Sequence, residues 1–176
     1  MLMYVGQLFK WKNPEFLIDA LAELRRDDIL LVFVGGHPDD IKRLQNYAKF
    51  KNVRNLVIFL DQVEPSEVPF ILKLSDILLH PPYNEKQGTL PLKIFEYMLA
   101  ERPIVAPRTP AITEVLVDNV NALLYNRHDP KDMAVKITLL LNNPQLARKI
   151  ARHAWEDALN KYTYRMRALK IIQLLN

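Results

Sequence analysis

The sequence predicts an open α/β fold: a parallel six-stranded sheet with helices on both faces, in three layers. Two observations predict it. Short, wholly apolar runs alternate with amphipathic helical stretches from one end of the chain to the other, and continuous apolar strands belong to a parallel sheet covered on both sides. Of the 4 glycines, Gly6 and Gly35-Gly36 stand at the ends of such runs, and Gly88 precedes a helical stretch.

The runs read as strands are MLMYVGQL at the start, ILLVFVG at 29–35, NLVIFL at 55–60, DILLHP at 76–81, PIVAP at 103–107 and NALLY at 121–125. After the first, Asn13 is expected to cap a helix with Pro14 at its first position, and Phe16, Leu17, Ala20, Leu21 and Leu24 share its sheet-facing side. Further helices are predicted over 39–50, 65–74, 90–101, 110–117 and 130–142, each returning the chain by a right-handed crossover. Only helices follow the last strand, over 144–160 and 164–175. Neither an internal repeat nor a Gly/Ser-rich linker divides the chain, so residues 1–176 are expected to form one module.

Composition narrows the function. With 176 residues, 49% hydrophobic and 25% charged, the chain suffices for one sizeable core. It has no Cys, which excludes disulfides, thiolate zinc sites and a Cys nucleophile and fits a reducing, cytoplasmic setting. Four His are too few to suggest a metal cluster. No apolar run approaches the roughly 18 residues of a membrane span, and MLMYVGQLF lacks the length of a signal peptide. The formal charge of +4 is scattered along helices, which argues against a nucleic-acid partner. It suits an anionic small molecule or an acidic membrane surface.

In an open parallel sheet, ligands bind outside the carboxyl ends of the strands, so Gly6, Gly35, Gly36 and Gly88 mark the expected binding edge. The segment from Gly88 to Met98 is the most informative. Thr89 is placed to cap a helix whose free N–H groups suit a phosphate, and Gly88 would let that phosphate approach the backbone. Lys93 and Glu96, three apart, share one face, with Leu92, Phe95 and Leu99 expected to face the core. From spacing alone the pair reads as a surface salt bridge worth ~0.3 kcal/mol, and only the resemblance below points to a site.

Several segments together resemble the C-terminal domain of the group 1 (family 4) glycosyltransferases of the GT-B fold. They are Tyr4-Val5-Gly6-Gln7-Leu8 with Lys12, Phe95-Glu96-Tyr97-Met98, Pro103-Ile104-Val105, Pro110 to Val115, and Asn121-Ala122-Leu123-Leu124, in the family's order and spacing. The resemblance implies a Rossmann-like domain that binds the nucleotide-sugar donor of a retaining hexosyltransferase. It also implies an N-terminal acceptor domain outside these residues, without which the domain is expected to be inactive. That missing domain would bring the acceptor, a glycan or a lipid-linked species, and any peripheral membrane association.

By the same resemblance Glu96 matches the second acid of the family's Glu-x7-Glu motif, which binds the donor ribose. Lys12 matches the lysine that reaches the donor pyrophosphate and stabilises the leaving group. Lys12 and Glu96 are thus the pair expected to carry the chemistry. Gly6, Gln7, Gly35, Val63, Gly88, Thr89, Leu90 and Lys93 complete the expected donor site for a UDP- or GDP-sugar, with no further cofactor and no metal. Glu85 and Glu114 are secondary candidates, and His80 reads as structural.

Two positions depart from the family pattern. Gly88 stands where many members carry the first acid, and Gln7 stands where an Arg often holds the phosphates. An amide can hydrogen-bond a phosphate but adds no charge. These departures keep open a second reading, a non-catalytic nucleotide-binding or interaction module.

Overall fold

The computed structural model describes residues 1–83 and 91–163, together with 165, 166, 168, 172 and 173. Its strands are β1 (Leu2–Val5), β2 (Leu31–Val34), β3 (Val57–Leu60), β4 (Ile77–Leu79), β5 (Ile104–Pro107) and β6 (Leu123–Tyr125). All pair in parallel, in the order β3-β2-β1-β4-β5-β6. The helices are α1 (Glu15–Leu24), α2 (Pro38–Phe50), α3 (Val68–Leu72), α4 (Lys93–Leu99), α5 (Pro110–Thr113), α6 (Pro130–Asn142) and α7 (Pro144–Lys161).

The strands are apolar throughout because neighbouring residues bury on opposite faces. Leu2 and Tyr4 of β1 join one cluster with the apolar stripes of α1, α2 and α6, whereas Met3 and Val5 join another with α4 and α5. Helix α7 spans both layers: Ile150 packs in the first cluster, and Ala154 and Ala158 in the second. Ring pairs reinforce the first layer, Phe16 on Tyr125 at 5.4 Å and Phe33 on Phe59 at 5.3 Å. Each pair contributes about 0.5–1.5 kcal/mol beyond its buried area.

Three local expectations need correction. Asn13 does not cap α1: it adopts a left-handed conformation (φ 52°) and donates its N–H to the Lys10 carbonyl, closing a 3-10 turn over Lys10–Lys12. Asn tolerates that conformation, so the turn takes it and α1 starts at Glu15. Second, Leu92 and Leu99 do not face the core; they are 78% and 46% exposed, and Ile94, Tyr97 and Met98 are buried instead. The helix is apolar nearly all round, and the stripe at 94, 97 and 98 is the one the sheet covers. Third, α5 ends at Thr113, well short of 117, because the Val117 N–H is taken by the Asn121 side chain at 2.7 Å. The predicted helix over 164–175 falls mostly outside the described residues, and the described ones at 165, 166, 168, 172 and 173 are helical.

Candidate functional site

Strand order reverses between β1 and β4, and such a reversal leaves a crevice at the carboxyl edge of the sheet. The two strands pair only at Leu2 with Ile77 and Met3 with Leu78, so their carboxyl ends part. The buried Tyr97 hydroxyl of α4 spans the gap: it accepts from the Val5 N–H at 3.3 Å and donates to the Leu79 carbonyl at 3.3 Å. Burial raises the pKa of this phenol, which keeps its proton in place.

A cleft of about 490 Å³ opens between the ends of β1 to β3 and helices α3 and α4. Of the residues singled out in the sequence, Gly6, Gln7, Gly35, Val63, Lys93 and Glu96 all line it. Its backbone floor requires glycine. A side chain at Gly6 (φ 141°) would meet Lys93 Cε at 2.9 Å, and one at Gly35 (φ 99°) would meet the Gly6 carbonyl oxygen at 3.1 Å. Lys93 therefore lies across Gly6, its side chain 18% exposed and its Nζ 3.5 Å from Glu96 Oε2. The Glu96 side chain is 51% exposed at the mouth. The Gln7 Oε1 is buried without a hydrogen-bond partner.

Lys12 does not line the cleft. Its Nζ rests over the rings of Trp11, Phe9 and Tyr83, at 5.3, 5.7 and 5.9 Å from their centroids. Burial, and after it the charge of Lys93, lowers its pKa, so the two ammonium groups act on one another. His80, at the end of β4, is buried. Its Nδ1–H donates to the Pro81 carbonyl at 2.8 Å, leaving Nε2 buried as an acceptor with no partner. Burial pushes this imidazole down to about 3, with Lys93 and Lys12 adding to the effect, so it is neutral.

Gly88, Thr89, Leu90 and Glu85 lie outside the described residues. Described helix α4 begins at Lys93, with Leu92 before it making no side-chain cap. Glu114 is exposed and does not line the cleft. Among the described residues no group of three His, Cys, Asp or Glu could hold a metal ion. Sequence reasoning missed Pro65, Pro69, Leu72 and Leu99 as cleft walls, and Tyr97 as the bridge at its base. Their apolar character reads as core packing, and no local pattern separates a cleft wall from a core residue.

The family model of the glycosyl transferases group 1 matches residues 1–157. The chain belongs to this family. It is 30% identical over 164 residues to D-inositol 3-phosphate glycosyltransferase of Corynebacterium efficiens, covering 89% of this chain and 38% of that protein. Among solved structures it is similar to Anabaena HepE, solved in complex with UDP, at a TM-score of 0.88 and 23% identity, covering 99% of this chain and 48% of HepE. The C-terminal domain of the group 1 glycosyl transferase LpcC from Francisella tularensis matches at a TM-score of 0.78 and 22% identity, covering 93% of this chain and 85% of that one. These likenesses establish the fold as the Rossmann-like C-terminal domain of GT-B glycosyltransferases. The chain spans less than half the length of the relative from Corynebacterium efficiens and of HepE. Among the described residues no helix is long and apolar enough to cross a membrane.

Proposed function

We propose that this group 1 glycosyltransferase chain binds the nucleotide-diphosphate sugar of a retaining, hexosyl-transferring enzyme whose acceptor is a glycan or a lipid-linked molecule. The observation that carries the reading is the convergence of Gly6, Gln7, Gly35, Val63, Lys93 and Glu96, scattered over ninety positions, on one cleft at the switch point of the sheet. Glu96 at the mouth has an exposed carboxylate for the ribose hydroxyls. Lys12, outside the cleft lining but near enough to feel the charge of Lys93, supplies positive charge toward the diphosphate, where charge grows as the nucleotide leaves. The apolar walls from Val63 to Leu72 suit the base. Transfer itself requires an acceptor domain closing over this cleft. The Cys-free composition fits a cytoplasmic setting, at the membrane surface where the acceptor is a lipid.

Calorimetric titration with UDP, GDP, ADP and their sugar conjugates, with and without magnesium, tests the reading. Binding of one nucleotide, lost in Glu96→Ala, is expected; no binding to any of them would sink it. Nucleotide binding without sugar transfer, in a chain joined to its acceptor domain, would instead support the non-catalytic module that Gln7 and Gly88 leave open.

A further inference from the structure

Two charged side chains beside Lys93 are of unequal consequence. The first is Glu96, at 3.5 Å across an exposed face, a weak surface ion pair that a stronger anion can displace. The second is Lys12, close enough for the charge of Lys93 to help lower its pKa. Two ammonium groups converge on the same edge of the sheet, Glu96 stands beside only Lys93, and the imidazole nearby is neutral and adds no third positive charge. Holding like charges together in a partly buried site is unfavourable unless an anion comes between them. Beside them Gln7 is neutral, its carbonyl oxygen buried and unpartnered, at the position where the family resemblance implies an arginine.

We infer that Lys93 supplies the second phosphate-directed charge of this site, in place of the charge that Gln7 lacks. The cation has moved from the β1 loop to the first turn of α4, and the space for it is made by Gly6, over which its Cε and Nζ lie. The diphosphate then sits between Lys12 and Lys93. Arrival of the phosphate draws Lys93 from Glu96 and frees that carboxylate for the ribose, so one exchange of partners prepares both interactions. This inference rests on the donor-site reading above and assigns within it a phosphate-binding role that the family pattern puts elsewhere.

The test is calorimetry with UDP, GDP and inorganic pyrophosphate as probes, and with the matching nucleosides uridine and guanosine, on the unmodified chain, Lys93→Met, Lys93→Arg and the double variant Gln7→Arg/Lys93→Met. Methionine cannot make a charge-assisted hydrogen bond to phosphate, so Lys93→Met is expected to weaken the nucleoside diphosphate and pyrophosphate about 10- to 100-fold. The nucleoside, which has no phosphate, should change less than about twofold, Lys93→Arg should retain binding, and Gln7→Arg should restore most of the affinity that Lys93→Met removes. Unchanged diphosphate affinity in a folded Lys93→Met would overturn the inference and leave the donor site standing. Equal losses for diphosphate and nucleoside would overturn it too, since they would make Lys93 a structural support. Absence of any binding by the unmodified chain would remove the donor site and the inference together.

Discussion

Lys93 lies across Gly6, so closely that a single added methyl at position 6 would stand 2.9 Å from Lys93 Cε. Gly6 also has a φ of 141°, a conformation that side chains rarely adopt. Gly6→Ala therefore combines backbone strain with displacement of the lysine. It is expected to cost about 1–3 kcal/mol in urea unfolding and to weaken nucleoside diphosphate binding in calorimetry. A stability loss with affinity intact would separate Gly6 from the site.

Tyr97 ties together the two strands whose separation makes the cleft. Tyr97→Phe keeps the ring packing but leaves the Val5 N–H and the Leu79 carbonyl without their hydroxyl partner. A buried polar group stripped of its partner costs about 1–3 kcal/mol. Chemical denaturation should register that loss, and faster amide exchange at Val5 should locate it; unchanged exchange at Val5 would mean that the hydroxyl bridge is not formed in solution.

Much of this architecture is legible in the sequence, for identifiable reasons. Strands buried on both faces must be apolar throughout, so runs such as ILLVFVG announce themselves, and α6 begins and ends where its stripe does. Helix α4 resists the same reading because its polar face is narrow, only Lys93 and Glu96, and Leu92, Ile94, Phe95, Tyr97, Met98 and Leu99 offer more than one apolar stripe; only the packing against β1 and β4 selects Ile94, Tyr97 and Met98. Of the candidate site, the sequence singles out Gly6, Gln7, Gly35, Val63, Lys93 and Glu96, which meet in the cleft, whereas Lys12 lies off its lining and Gly88 falls outside the described residues. What could not be read is how Lys12 is held, since the rings around it come from Phe9, Trp11 and Tyr83, the last of them on a different loop far along the chain.

Asn121, part of the motif segment that resembles the family, has a structural task. Its Oδ1 accepts from the Val117 N–H at 2.7 Å, and its Nδ2 donates to the Val115 carbonyl at 3.2 Å and to Asp157 Oδ2 at 2.8 Å. It thereby ties the turn before β6 to α7. Asn121→Ala should lower stability by about 1–3 kcal/mol, since it leaves buried groups unpaired, while nucleotide affinity per folded molecule stays the same. Affinity falling in step with the nucleotide's phosphate count would instead assign Asn121 to the site.

His80 sets a pH dependence. Its folded pKa is depressed to about 3, against about 6.5 in the unfolded chain. Between those values the unfolded state takes up a proton that the folded state refuses. Its contribution is thus fully present above about pH 6.5 and declines as pH falls, by roughly 1.4 kcal/mol per unit. From pH 7 to pH 5, the unmodified chain should lose about 2 kcal/mol more stability than His80→Asn. Parallel urea curves for the two proteins at both pH values would show that the imidazole is not held neutral.

Lys12 is oriented by rings rather than by an acid, with Trp11 nearest at 5.3 Å and itself 53% exposed. Such an interaction is worth about 0.5–1 kcal/mol at an exposed site. Two variants then separate the charge from its support. Lys12→Ala removes the cation and should weaken nucleoside diphosphate binding at least about tenfold, as removal of a charge-assisted hydrogen bond to phosphate does. Trp11→Ala leaves the cation but releases it, so affinity should fall about two- to fivefold, the equivalent of that ring–cation energy. Raising the salt concentration should shrink the Lys12→Ala effect, because it screens the charge. If Trp11→Ala proves as damaging as Lys12→Ala, the ring itself meets the ligand, and its role as a rest for Lys12 falls.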